Sequence, residues 1–256
     1  MKKRHLIYVA CLLVAMGACS ATSKERAKIT PDAWGKYNVG TVLFEDKAPE
    51  TKRSDIYHRI IPDAESYIKA QAREVLATLY NSPEDSIPTV NKIHYTLEDI
   101  EGVSAKGGGN GDVTIFYSTR HIEKSFAAND TAKLFFETRG VLLHELTHAY
   151  QLEPQGVGSY GTNRVFWAFI EGMADAVRVA NGGFDGPNAR PKGGNYMDGY
   201  RTAGYFFVWL RDNKDPEFLR KFNRSTLEVI PWSFDGAIKH ILGNEYNIDE
   251  LWHEYQ

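Results

Sequence analysis

Hydrophobic positions along this chain change period partway. Residues 39–45 (VGTVLFE) alternate apolar with polar or small positions and predict a strand, followed by a polar turn over residues 47–53. Residues 63–80 place Ile68, Ala72, Val75, Leu76 and Leu79 on one stripe, the pattern of an amphipathic helix, and residues 82–88 break it. Residues 92–97 and 112–118 alternate again as strands. Between them, the run GGGNG at residues 107–111 lacks the Lys-Ser or Lys-Thr that a phosphate loop carries after its glycines, and predicts a mobile hairpin turn. From Asn129 onward the period turns helical: two strongly apolar runs, then residues 200–212, 217–227 and a final pair near Ala237 and Leu251. Strands followed by helices predict an α+β layer architecture, not alternating parallel units.

The two apolar runs hold the candidate chemistry. Residues 140–150 read GVLLHELTHAY, whose strongly polar side chains are His144, Glu145, Thr147 and His148. A helix apolar on nearly every face is buried, and burying a carboxylate and two imidazoles costs several kcal/mol unless something partners them. Backbone carbonyls are one solution. A divalent cation is the more direct one, because histidines at i and i+4 lie on neighbouring turns and reach the same ion. Glu145 then stands beside the metal, placed to take a proton from bound water. Residues 166–179 (FWAFIEGMADAVRV) form the second run, with Glu171 and Asp175 at i and i+4 among apolar neighbours. Pro154 stops the first helix, and Gly156, Gly158 and Gly161 give a flexible connection. A catalytic zinc site takes three protein ligands and keeps one open position, which His144, His148 and Glu171 satisfy with one zinc per chain. Asp175, one turn beyond Glu171, is placed to hold the far ring nitrogen of a ligand histidine. Tyr200 is the phenol chosen to stabilise charge on a carbonyl oxygen, with Tyr196, Tyr205 and His240 as rivals.

The H-E-x-x-H and E-G-x-x-D arrangement resembles the gluzincin metallopeptidases. More closely, HELTHAYQ, FIEGMADAVRVANGGF and DELWHEY, together with VLFEDKAPET and GVSAKGGGNGDVTIFYSTRHI, resemble the basic secretory protein family of plant and bacterial peptidases. The resemblance implies a zincin-like fold, with an N-terminal sheet-and-helix part packed on a helical C-terminal part and the active site between them. It implies a zinc-dependent peptidase with His144, His148 and Glu171 as ligands, Glu145 as catalytic base and Asp175 behind a ligand. It further implies a sheet above the metal helix, with residues 112–118 as the edge strand that takes up a peptide substrate.

Composition adds restrictions. The net charge of −3 gives no reason to expect nucleic acid as a partner, and the chain is expected to act as a monomer. Residues 1–19 read as an export signal: Lys2, Lys3 and Arg4, an apolar run over residues 6–15, and Met16-Gly17-Ala18 before Cys19, which resembles a lipobox. Cys19 would then be lipidated, making this an exported bacterial lipoprotein that faces the periplasm or cell surface; ordinary secretory cleavage is the alternative. Cys11 and Cys19 are the only cysteines, so the mature chain has no intramolecular disulfide. Residues 20–36 read as a flexible tether and residues 37–256 as one peptidase domain. A non-catalytic surface lipoprotein that binds peptide or glycan is the alternative function. Retention of Glu145 speaks against it. A zinc hydrolase acting on another bond is a third reading.

Overall fold

In the computed structural model, residues 33–256 are described apart from 127–129, 185 and 187. The expected signal, Cys19 and nearly all of the tether lie outside the described residues. Four strands, β1 (Thr41–Asp46), β2 (Lys92–Glu98), β3 (Ser104–Gly109) and β4 (Asp112–Ser118), make one sheet in the order β1-β2-β4-β3. β1, β2 and β4 run parallel, and β3 runs antiparallel to β4. The register sets Val42 beside Ile93 and Ile93 beside Val113, then Tyr95 beside Ile115 and Leu97 beside Tyr117. All seven are buried, so period-2 alternation gives the sheet one continuous apolar face.

Three expectations need correction here. Residues 112–118 do form a strand, but β4 is interior, with β2 on one side and β3 on the other. The edge strand on that side is β3, which contains the glycines read as a turn. The turn itself is only Asn110 and Gly111, both at positive φ (52° and 84°), as the tightest hairpins require. Gly108 serves close approach: a Cβ there would lie 2.0 Å from the Asp112 carbonyl oxygen. The polar turn expected over residues 47–53 also ends early, because Thr51 accepts from the Ser54 N–H and caps helix α1 (Lys52–Ile60).

Helix α2 (Ala64–Leu79) starts at the Asp63 cap and buries the predicted stripe. After the short α3 (Thr119–Ser125), α4 (Thr131–Tyr150) is capped by Asp130 and α5 (Arg164–Ala180) by Asn163. A 3-10 turn (Tyr196–Asp198) leads into α6 (Tyr200–Asn213), α7 (Phe218–Glu228), α8 (Phe234–Leu242) and α9 (Ile248–Tyr255). These C-terminal helices close on buried aromatics, with Phe169 and Trp232 rings 4.7 Å apart and Phe207 and Phe222 4.9 Å apart. Each such ring contributes about 1.5–3 kcal/mol by leaving water. The architecture is mixed α+β: a four-stranded mixed sheet and, among the described residues, nine α-helices.

Candidate active site

The apolar face of the sheet ends at its edge. On β3, Ser104 lies beside Tyr117, Lys106 beside Ile115 and Gly108 beside Val113, so polar and small residues continue the line that apolar ones began. Helix α4 packs on this edge and on α5. A cleft of about 640 Å³ opens there, lined among others by Ser104, Lys106, His144, Glu145, Glu171 and Tyr200.

Helix spacing brings the ligand candidates together at its base. His144 Nε2 lies 3.1 Å from His148 Nε2 and 3.3 Å from Glu171 Oε2, and His148 Nε2 lies 3.7 Å from that same oxygen. A tetrahedral ion with bonds of about 2.0–2.1 Å holds its donors ~3.3–3.4 Å apart, so the three atoms fit one zinc-sized cation. Glu171 Oε2 is buried without a hydrogen-bond partner, whereas Oε1 accepts from the Tyr160 hydroxyl at 2.6 Å. Among the described residues, these three side chains are the group able to hold a metal ion.

The far sides of both rings are also held. His144 Nδ1 lies 2.7 Å from Asp175 Oδ1, which fixes Nδ1 as the protonated nitrogen and leaves Nε2 as the lone-pair donor. His148 Nδ1 lies 2.9 Å from the Gln151 amide nitrogen, while Gln151 Oε1 is buried without a partner. Turning that amide over places Oε1 on the Nδ1–H and satisfies both groups.

Electrostatics favour a cation at this point. Burial works against a charged His144, but its donation to Asp175 and the nearby Glu171 carboxylate prevail and push it up to about 10. Burial, then the His144 charge, drive His148 down to about 3. The carboxylates therefore ask for positive charge between them, and one proton on one imidazole is all that the two histidines supply unaided. Burial works to raise Glu171 too, yet it sits lower than an ordinary glutamate because His144, His148 and Tyr160 face it. Glu145 is held above the ordinary value by burial, against the pull of His144, the Ser104 hydroxyl and the Lys106 backbone N–H. The single Ser104 proton is shared with the Phe116 carbonyl, 2.5 Å away.

Tyr200 reaches this group through an unusual backbone. It follows Gly199 (φ 65°) and itself has φ 41°, a left-handed value that side chains other than glycine rarely adopt. Gly199 is required there, because a Cβ would lie 2.7 Å from the Trp167 ring. The Tyr200 ring stacks on His144 at 6.0 Å and 16°. Burial, then Glu171, Asp175 and Glu145, hold its phenol above the ordinary value and so protonated. Its rivals are engaged elsewhere: Tyr196 donates to Asp249 (3.0 Å), Tyr205 to the Phe184 carbonyl, and His240 pairs with Glu228 (3.1 Å).

Sequence reasoning missed Tyr160, Gln151 and Ser104. Gln151 stands three residues after His148, a helical spacing that offered a signal. Tyr160 lies in a glycine-flanked loop, where periodicity gives none.

Compared with known protein families, residues 39–255 match the family model described as a peptidase of plants and bacteria. No curated protein and no solved structure matches the chain.

Proposed function

The chain belongs to this family of peptidases of plants and bacteria, and on that footing we propose that it is a zinc-dependent metallopeptidase with a zincin-like fold. The observation that carries the reading is the convergence of His144 Nε2, His148 Nε2 and Glu171 Oε2 within 3.1–3.7 Å, with the glutamate oxygen buried and otherwise unpartnered. Zinc held there supplies Lewis acidity to the scissile carbonyl and to water. Asp175 and Gln151 orient the two imidazoles, and Tyr160 fixes the free rotation of Glu171. Glu145 takes the proton of the attacking water on its carboxylate and passes it to the leaving amine nitrogen. The burial that raises Glu145 suits both halves of that transfer. Tyr200, kept protonated, donates to the carbonyl oxygen as negative charge develops on it.

The β3 edge suits substrate binding. Val103 O accepts from Ser118 N, so alternation turns the backbone groups of Ser104 and Lys106 away from β4. An extended peptide laid along them adds a strand beside Glu145. Purified protein is expected to hold close to one zinc per chain, and His148→Ala to release it, since two ligands hold zinc poorly. Wild-type protein that contains no zinc and takes none up on dialysis would sink the reading.

The proposal extends to location: an exported, membrane-anchored lipoprotein with Cys19 as its lipidated first residue. Mature protein should partition with membranes, and Cys19→Ser should abolish the lipid mass shift. An unmodified N-terminus beginning elsewhere would replace the anchor by simple secretion.

A further inference from the structure

Helix α5 presents Glu171, Asp175 and Arg178 at i, i+4 and i+7, one stripe along the cleft. The first two face the histidines. Arg178 is 6% exposed yet lines the same cleft, and it is poorly satisfied for a buried guanidinium. Among the described residues, one of its five N–H donors is used, from Nη2 to Glu137 Oε2 at 2.7 Å. Among the described residues Nε is buried with no partner and Nη1 makes no hydrogen bond.

The surroundings hold the fork rigidly nonetheless. Phe184, at φ 56°, stacks its ring 3.7 Å from Arg178 Cζ, and its carbonyl is tied down by the Tyr205 hydroxyl. Below it lies Gly140, one turn before His144, where a Cβ would come within 2.4 Å of Nε and 2.7 Å of Cζ. His121 holds Glu137 from the other side at 3.2 Å. A lone ion pair with Glu137 would be served equally by lysine. A flat fork packed against an aromatic ring and a glycine at the wall of a cleft suits a carboxylate received in two parallel hydrogen bonds.

We propose that Arg178 is a specificity-determining residue that binds a carboxylate of the peptide substrate. The inference rests on the peptidase reading of the same cleft. Arg178 lies seven helical positions beyond Glu171, about 10 Å along the axis. An extended peptide advances ~3.3 Å per residue, so the carboxylate belongs within about three residues of the scissile bond. It is supplied either by the C-terminus of a short peptide or by an aspartate or glutamate side chain.

Calorimetric binding of matched peptides to Glu145→Gln protein, which removes turnover, tests this. The pairs are acetylated hexapeptides carrying Glu or Gln at each position in turn, and the all-Gln peptide with a free or amidated C-terminus. The carboxylate member of at least one pair is expected to bind about 10-fold tighter, the worth of a charge-assisted hydrogen bond. Which pair responds tells side chain from terminus. In Glu145→Gln/Arg178→Gln that gap should close to about 2-fold or less. Should that variant not fold, Arg178→Lys keeps a charge on Glu137 but loses the fork, and should shrink the gap to about 3-fold. Equal binding of acid and amide members throughout, or a gap that neither Arg178 variant reduces, overturns the proposal. Incubation of the same peptides with wild-type protein reports separately on the enzyme: a binding gap without cleavage refutes the peptidase mechanism and leaves the carboxylate site standing.

Discussion

Glu145 and Glu171 are both buried glutamates in one cleft, yet their surroundings differ, and the proposed mechanism gives them opposite tasks. Glu171 points a bare oxygen at two imidazole nitrogens, whereas Glu145 faces the Lys106 N–H and the Ser104 hydroxyl on the sheet edge. A glutamine at position 145 keeps the volume, and its oxygen still accepts from those donors. Glu145→Gln should therefore fold and retain zinc while peptide hydrolysis falls by about 10²-fold or more, the usual general-base contribution. Glu171→Gln should lose zinc as well as activity. Undiminished hydrolysis by Glu145→Gln would remove the base assignment. The convergence of these side chains was legible because H-E-x-x-H and Glu171/Asp175 each lie within one helix, where spacing alone fixes the shared face. Tyr160 and Gln151 were not, since their positions depend on how a loop and a helix end settle against that face.

Helix α5 carries both Glu171 and Asp175, and its placement depends on a close seam with α6. Gly172 faces Ala203 and Phe207, where a Cβ would meet carbons at 2.7 Å, and a Cβ on Gly204 would lie 2.8 Å from Ala176 N and 2.9 Å from Asp175 Cβ. The obstacle at Gly204 is mostly backbone, which cannot swing aside. Gly204→Ala gains about 0.8–1 kcal/mol of helix propensity but pays about 1–3 kcal/mol for overpacking, so the clash prevails. The variant should unfold at lower urea than wild type, with Asp175 shifted and zinc held more weakly; an unchanged or higher midpoint would show that the seam has slack. Helices of this length were readable to within a few residues at most ends, since their apolar stripes are long. The sheet was only half readable. Alternation identified β1, β2 and β4, but strand order depends on long-range pairing, and three successive glycines in β3 carry no pattern to distinguish a strand from a turn. That is why the edge beside the cleft was assigned to the wrong strand of the hairpin.

Beyond Cys19 the chain has no cysteine, so no disulfide ties the sheet-bearing and helical parts of the domain together. They meet through α4, which touches α2, β3 and α5, and through α2, which packs on α5 and α7. The proposed ion joins α4 to α5 at that contact, through His144 and His148 on one helix and Glu171 on the next. Without it, Glu145, Glu171 and Asp175 stay buried at 3–6% exposure around imidazoles that accept one proton between them. An unfolded chain offers no such arrangement, so zinc binds almost solely to the native state and stabilises it by mass action. At free zinc about 1,000 times the dissociation constant, the gain is about 4 kcal/mol. In a domain of this size each kcal/mol moves the melting temperature by about 2–4 °C, so stripping zinc with a chelator should lower it by ~8–16 °C. His148→Ala should melt at the same temperature with or without the chelator. A wild-type melting point indifferent to zinc would mean that this cluster does not hold the ion. A chelator effect that persists in His148→Ala would place the ion on other residues.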